Sequence, residues 1–137
     1  MKIVIAGGGD IGTTIATKLI SENHDVTIIE YNPVQKKVLQ SQLDALIVEG
    51  NAVDIEILKK TDLARASLFL ALTDNDNINI LAGSMARKIG QPNLIIITKV
   101  ENSYQYFNEK LINPVDFGLD KVIAPQELII EKILNLI

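Results

Sequence analysis

The chain has 137 residues, enough for one domain of ordinary size and too few for a separate substrate domain. Hydrophobic residues make up 47% of the chain but aromatic residues only 4%, so we expect an aliphatic core, as in sheets covered by helices on both faces. A net charge of −4 without a basic cluster argues against nucleic acid as a partner, and the lack of cysteine excludes disulfides, thiolate metal sites and thiol nucleophiles.

Short apolar runs alternate with segments of helical periodicity. We predict strands near 2–6, 25–30, 45–48, 67–72, 94–98 and 120–123. Helices are predicted over 11–22, 34–43, 76–89 and 125–137, with shorter helical turns around 54–60 and 102–111. Because strand–crossover–strand units are almost always right-handed, the alternation predicts an α/β fold of the Rossmann type. This fold is a doubly wound parallel sheet of six strands in the order 3-2-1-4-5-6, in three αβα layers, with its ligand crevice between strands 1 and 4.

The two ends of the chain give further expectations. The segment from Met1 to Ala6 begins directly on a strand pattern, and no apolar stretch approaches the ~20 residues of a membrane span, so we expect a cytoplasmic chain without direct membrane insertion. The segment from Leu128 to Ile137 is apolar around much of its circumference and has no capping signal. We therefore expect residues 1–137 to form a single nucleotide-binding domain whose last helix, 125–137, either leads into a further lobe or docks on another subunit.

A glycine-rich motif lies between the first strand and the first helix. The motif reads Gly7-Gly8-Gly9-Asp10-Ile11-Gly12. In the pattern G-x-G-x-x-G, Gly7 permits the tight turn, Gly9 lets the backbone approach a pyrophosphate, and Gly12 lets the helix pack closely on the sheet. The helix N-terminus presents free N–H groups to the anion. The alternative is a glycine-rich turn that merely joins a strand to a helix.

An acidic residue ends the second predicted strand. Glu30 follows the motif at close to the ~20-residue spacing expected for the carboxylate that accepts hydrogen bonds from the adenosine ribose. The same charge repels a 2′-phosphate, which favours NAD(H) or a plain adenine nucleotide over NADP(H), provided that Lys36 and Lys37 point elsewhere. The alternative is an exposed acid at a strand end. The motif and Glu30 together predict an adenine dinucleotide site.

Polar residues also follow the next three strands. After strand 3, Asn51, beside Ala52, either hydrogen-bonds the base or ribose or acts as a turn or cap residue. After strand 4, Thr73 and the run Asp74–Asn79 are predicted to contact the second half of the dinucleotide, although one of the two aspartates in the run is expected to cap the next helix. After strand 5, Lys99 either offsets pyrophosphate charge or is simply solvated.

The sequence lacks the groups that a dehydrogenase requires. Hydride transfer needs an acid/base group beside the nicotinamide and a substrate pocket. The sole histidine, His24, precedes strand 2, away from the crevice. We therefore predict that the chain is not an enzyme and that the nucleotide acts as a signal. The rival interpretation is the cofactor half of a small dehydrogenase.

Several segments together carry a family resemblance. They are Met1–Gly7 with the glycine turn, His24–Glu30, Gly50–Ala52, Leu70–Asp76 with Asn79, Thr98–Val100 and Val122–Glu127. In these segments the chain resembles the regulator-of-K⁺-conductance (RCK) domain, the nucleotide-binding module of TrkA-type potassium-uptake regulators. The resemblance implies a cytoplasmic module that binds NAD(H) or ATP/ADP and assembles as homodimers or rings. It also implies a partner: a membrane potassium transporter of the TrkH or TrkG kind, or a channel.

The resemblance also implies which positions contact the nucleotide. They are Gly7, Gly9, Gly12, Glu30, Asn51, Thr73, Asp74 and Lys99. Asn51 stands where the family usually has aspartate, Asn77 where it has glutamate, and Lys99 where arginine is frequent; lysine keeps the charge but loses the bidentate fork. The predicted site is Gly7, Gly8, Gly9, Asp10, Ile11, Gly12, Glu30, Asn51, Ala52, Thr73, Asp74, Asn79 and Lys99. NAD(H) is the favoured ligand, and ATP, ADP or AMP are the alternatives. The alternative function is that of an adenine-nucleotide-binding module of another cation transporter.

Overall fold

The computed structural model describes residues 1–124 and 129–137 of the chain. The strands are β1 (Lys2–Ala6), β2 (Asp25–Glu30), β3 (Leu46–Glu49), β4 (Leu68–Ala71), β5 (Ile95–Lys99) and β6 (Lys121–Ile123). The α-helices are α1 (Asp10–Ser21), α2 (Pro33–Gln42), α3 (Ile55–Lys59), α4 (Asp76–Ile89), α5 (Tyr104–Asn108) and α6 (Ile129–Leu136). None of the helices in these residues is both long enough and apolar enough to cross a membrane.

The strands form one parallel sheet in the order β3-β2-β1-β4-β5-β6. From β1 the chain moves outward to β3 on one side, and from β4 it moves outward to β6 on the other. The strand order therefore reverses between β1 and β4, and a crevice opens there outside the carboxyl ends of the strands. The predicted fold and strand order are confirmed.

Aliphatic side chains cover the sheet on both faces. Because successive strand residues point to opposite faces, β1 divides its side chains between two clusters. Ile3 and Ile5 pack in a cluster with residues of α1, α2 and α6. Val4 and Ala6 pack in a second cluster with residues of α3 and α4. This arrangement confirms the three predicted layers and fixes the strand ends that carry the site.

The observed bounds lie close to the predicted ones. Helix α4 has the predicted bounds, and β3 and β5 each lie one residue later than predicted. A 3₁₀ turn at Pro114–Phe117 was not predicted, because a turn this short has no detectable periodicity. Of the predicted helix 125–137, residues 125–128 lie outside the described residues, and α6 covers most of the rest. Ile129 and Ile133 of α6 are buried in the cluster that α1 covers.

Candidate functional site

A cleft of about 630 Å³ opens at the carboxyl edge of the sheet, across the point where the strand order reverses. It is lined by residues at or just after the ends of β1, β2, β3 and β4, joined by the first turns of α2 and α4. The predicted site residues that line it are Gly7, Gly8, Gly9, Glu30, Asn51, Ala52, Thr73 and Asp74. The cleft thus brings together most of the site that the sequence predicts.

The glycines of the motif have three different environments. Gly7 has φ of +105°, and a Cβ there would lie 2.9 Å from the backbone nitrogen of Thr73. A Cβ on Gly12 would lie 2.0 Å from the carbonyl oxygen of Gly7, so α1 can approach the loop only with glycine at this position. A Cβ on Gly9 would meet nothing within 4 Å. Gly7 therefore serves the turn and Gly12 the packing of α1, while Gly9 leaves open space above the backbone.

Helix α1 begins without a side-chain cap. Its N-cap residue is Gly9, which has no side chain. Helix α2, by contrast, is capped by the side chain of Asn32, and no described side chain caps α1 in this way. The first N–H groups of a helix have no intrahelical acceptor, and together with the helix dipole they favour an anion. Asp10 is exposed in this first turn, the Ile11 side chain packs against the core, and neither predicted site residue is part of the cleft lining.

Both oxygens of the Glu30 carboxylate accept hydrogen bonds from the backbone. Oε1 accepts from the Gly8 nitrogen at 2.9 Å, and Oε2 accepts from the Asn32 nitrogen at 2.8 Å. A carboxylate has about four lone-pair positions, so two remain for other donors. Glu30 is half-buried and lines the cleft. Its carboxylate can therefore hold the glycine loop and still receive the hydroxyls of a ribose.

The Gly8 peptide is also fixed from its carbonyl side. Its oxygen accepts hydrogen bonds from Nε2 of Gln35 at 2.7 Å and from Oγ1 of Thr13 at 3.0 Å. A Cβ on Gly8 would lie 2.4 Å from Cδ1 of Leu39. Sequence reasoning missed Gln35, since a glutamine in the first turn of a helix carries no signal of a contact with a loop that lies far away in sequence.

Asn79 supports the site from beneath and does not line the cleft. The side chain is fully buried, and Oδ1 accepts from the Thr73 nitrogen at 2.9 Å and from Thr73 Oγ1 at 2.6 Å. Nδ2 donates to the carbonyl oxygens of Thr73 at 3.0 Å and Lys99 at 2.9 Å. All four hydrogen-bonding positions of the amide are thus used within the protein. Asn79 ties the end of β4 to the end of β5.

The cap of α4 differs from the expected one. Asn75 caps the helix, with Oδ1 accepting from the Ile78 nitrogen at 3.0 Å, so the expectation of an aspartate cap is wrong. The Asp76 carboxylate instead accepts from the backbone nitrogens of Glu101 and Ser103, each at 2.8 Å. Asp74 is left fully exposed at the cleft. Asp74, Asn75 and Asp76 are adjacent and all have side chains that can cap a helix. Which of them does so depends on the residue at which the helix starts, and the sequence does not determine that residue.

Lys99 and Asn51 have partners within the protein. Lys99 is 3% exposed, and its Nζ lies 3.4 Å from Oε1 of Glu101 and 4.0 Å from Oδ1 of Asp74. Its burial rules out the solvated alternative, and its side chain lies outside the cleft lining. Oδ1 of Asn51 accepts from the Val53 nitrogen at 3.1 Å, which is a turn role, although the residue also lines the cleft.

The charge of the cleft is acidic. Glu30 and Asp74 line it, and among its described lining residues there is no lysine or arginine. Nζ of Lys36 lies 3.6 Å from Oε1 of Glu49, and neither Lys36 nor Lys37 reaches the cleft. Lys36 and Lys37 thus point away from the site, as the preference for NAD(H) over NADP(H) requires. A 2′-phosphate beside Glu30 would face a carboxylate and no cation.

The TrkA-N domain family model matches residues 3–125. The chain is 40% identical to a Trk system potassium uptake protein TrkA homolog of Archaeoglobus fulgidus, over 92% of this chain and 28% of that protein. It is 32% identical to the Trk system potassium uptake protein TrkA of Haemophilus influenzae, over all of this chain and 30% of that protein. The chain therefore spans less than a third of the length of these two relatives.

Solved structures with the same fold include three of different origin or ligand state. The TrkA-N domain of the inner membrane protein ybaL from Escherichia coli superposes with a TM-score of 0.79 at 20% identity, covering 99% of this chain and 96% of that one. The GsuK channel bound to NAD gives a TM-score of 0.72 at 26% identity, over 89% of this chain and 21% of that one. GsuK bound to ADP gives a TM-score of 0.72 at 26% identity, over 90% of this chain and 31% of that one.

Proposed function

Because the chain belongs to the TrkA-N domain family, we propose that it is the nucleotide-binding part of a regulator of potassium transport, with NAD(H) as its ligand. The observation that carries the proposal is one cleft in which the uncapped N-terminus of α1 and the Glu30 carboxylate lie at neighbouring strand ends. Relatives named as potassium uptake proteins and a channel structure bound to NAD support it.

The ligand would lie along the carboxyl edge of the sheet. The pyrophosphate would rest over Gly9, where the backbone is open, and would accept from the first N–H groups of α1. The adenosine ribose would donate to the free lone pairs of Glu30. The second half of the dinucleotide would extend past β4 to Asp74 and to Thr73, and Asn79 supports Thr73 from below. ADP, ATP or AMP would use the adenosine half of the same site.

The acidic lining supports NAD(H) over NADP(H) as the ligand. A 2′-phosphate would have to approach Glu30, whose carboxylate has no cation beside it in the described lining. Two like charges at contact distance repel each other, and neither the cleft wall nor Lys36, which pairs with Glu49, offsets that repulsion. NAD(H) is therefore the preferred dinucleotide.

The nucleotide acts here as a signal and is not consumed. We propose that residues 1–137 form one nucleotide-binding domain of a longer, cytoplasmic protein that assembles as homodimers or rings. The assembly would contact a membrane potassium transporter or channel at the inner face of the membrane. A ligand can shift such an assembly only through its different affinity for two states. Oxidised and reduced NAD share the adenosine and the pyrophosphate. Any discrimination between them would therefore depend on the part of the cleft at Thr73 and Asp74, which would contact the nicotinamide half.

Rubidium uptake by cells tests the regulatory role. The cells would produce the whole protein, either with its natural sequence or with Glu30→Ala, at low external potassium. We expect Glu30→Ala to lose the regulated uptake, while Glu22→Ala, which removes an exposed acid far from the cleft, keeps it. Uptake that is equal in cells with and without the protein would contradict the proposal. A defect confined to another cation would assign the chain to a different transporter.

A further inference from the structure

The order of the strands places the base of the proposed ligand. The glycine loop follows β1 and Glu30 ends β2, and the next strand in the sheet is β3. A nucleotide with its pyrophosphate at β1 and its ribose at β2 therefore continues toward the end of β3. Glu30 pairs with Glu49 in the sheet register, so the residues that follow these two, Tyr31 and Gly50, flank the expected place of the base.

Tyr31 is an exposed aromatic residue at this place. Its side chain and backbone are 76% exposed, the highest value among the large hydrophobic residues that the structure describes. Single exposed aromatic residues are common on protein surfaces, so exposure alone indicates nothing. Tyr31, however, lines the cleft, and it is the one aromatic residue in the described part of that lining. It follows Glu30 directly, so its ring starts one residue from the ribose acceptor.

The backbone around Tyr31 is held in place. The carbonyl oxygen of Glu30 accepts from the Gly50 nitrogen at 3.0 Å, and the Glu30 side chain accepts from the Asn32 nitrogen at 2.8 Å. Asn32 in turn caps α2, accepting from the Val34 nitrogen at 2.8 Å. Tyr31 thus sits between two anchored residues. Ordering its ring against a ligand costs only side-chain freedom, which is small for an aromatic residue with two rotatable bonds.

The neighbouring strand end leaves room for a flat ring. The lining residues after β3 are Gly50, Asn51 and Ala52, which carry no side chain, a short amide and a methyl group. Ala52 is 4% exposed, so it adds a buried apolar floor, and Asn51 adds a polar edge. A purine can therefore enter with one face toward Tyr31 without displacing a large side chain.

We propose that Tyr31 is the platform on which the adenine ring stacks, so that base recognition in this chain comes from ring stacking as well as from the ribose contact. The inference rests on the proposed nucleotide site and adds the residue that determines affinity for the base. Stacking of a base on an aromatic side chain is a general device, because every base has a π face.

Titration of the chain with NAD⁺, AMP and nicotinamide mononucleotide tests this role. Tyr31→Ala is expected to weaken NAD⁺ and AMP by the same factor, about tenfold or more, because alanine removes the stacked face. Nicotinamide mononucleotide has no adenine, so its affinity is expected to stay unchanged. Tyr31→Phe keeps the ring and is expected to bind all three ligands as the natural chain does. Tyr106→Ala, which removes another exposed tyrosine outside the cleft, is the matched control.

A fluorescent variant gives a second readout. The chain has no tryptophan, so Tyr31→Trp places a single indole at the proposed platform. AMP is expected to quench this indole and nicotinamide mononucleotide to leave it unchanged. Wild-type affinity of Tyr31→Ala for AMP, or an indole that does not respond to bound AMP, would overturn the platform role while leaving the proposed function intact. A natural chain that binds no adenine nucleotide would overturn both.

Discussion

The backbone nitrogen of Gly8 donates a hydrogen bond of 2.9 Å to Oε1 of Glu30. One carboxylate therefore holds the loop that would receive the pyrophosphate and has lone pairs left that would accept from the ribose. In the proposed complex, Glu30 would thus contact the ribose directly and position the loop that contacts the pyrophosphate. Loss of Glu30 should thus affect the fold of the loop as well as the ligand.

Stability measurements separate these two roles of Glu30. In the ligand-free chain, Glu30→Ala leaves the buried Gly8 N–H without an acceptor, so we expect the free energy of unfolding to fall by about 1–3 kcal/mol. Glu30→Gln should lose less, because its amide oxygen can still accept from Gly8. Urea unfolding measures both. Glu22→Ala, whose ion pair with Lys18 is exposed, should change stability by less than about 1 kcal/mol. Equal stability of Glu30→Ala and the natural chain would refute the anchoring role.

Two alanine substitutions in the glycine motif should have opposite consequences. Gly9→Ala meets nothing within 4 Å and Gly9 has φ of −75°, so the free chain should unfold as before. Its methyl group would occupy the open space in which we propose that the pyrophosphate binds, so NAD⁺ affinity should fall by more than about tenfold. Thermal unfolding and calorimetric titration of the same samples check this pair of results. Unchanged affinity in Gly9→Ala would contradict the placement of the pyrophosphate.

Gly12→Ala should act on the fold. Its Cβ would lie 2.0 Å from the Gly7 carbonyl oxygen, a backbone atom that cannot turn away. We expect a loss of about 1–3 kcal/mol or more in the free energy of unfolding, the usual cost of overpacking. Urea unfolding measures it, with Gly9→Ala as the matched substitution. If both variants had the stability of the natural chain, the close approach of α1 to the glycine loop would be wrong.

Asn79 should matter for stability and Asn77, two residues earlier, should not. Asn79→Ala removes four hydrogen bonds at a fully buried position and leaves the Thr73 N–H unpaired, so we expect a loss of about 2–4 kcal/mol. Asn77 is exposed on the same helix, and Asn77→Ala should change stability by less than about 0.5 kcal/mol. Chemical unfolding of the two variants compares them directly. A similar small effect of both substitutions would speak against the bridge between β4 and β5.

The strand order and the glycine loop were predictable because local patterns determine them. Aliphatic runs such as the one in β4 read as buried strands, and the handedness of the crossovers then leaves one natural order. The spacing from the glycine motif to Glu30 depends only on the lengths of α1, of the turn that follows it and of β2. These features therefore follow from periodicity and chain connectivity.

Other parts of the site depend on contacts between elements that are distant in sequence. Gln35 reaches Gly8 only because α2 lies against the glycine loop, and no spacing rule reports that contact. The supporting role of Asn79 had a usable signal: it shares the buried face of α4 with Ala82, Gly83 and Ala86, at helical spacing. A polar residue on such a face is expected to be satisfied within the protein. Its position on the buried face could therefore have indicated support of the site from below, whereas the sequence analysis placed Asn79 among the residues that contact the ligand.

Calorimetric titration of the chain with NAD⁺, alongside Glu30→Ala and the control Glu22→Ala, tests whether the cleft is an NAD site that depends on Glu30. We expect micromolar binding of NAD⁺ by the natural chain and by Glu22→Ala, a loss of at least about tenfold in Glu30→Ala, and weaker binding of NADP⁺ than of NAD⁺. Absence of NAD⁺ binding to the natural chain, or equal binding by Glu30→Ala, would contradict this assignment.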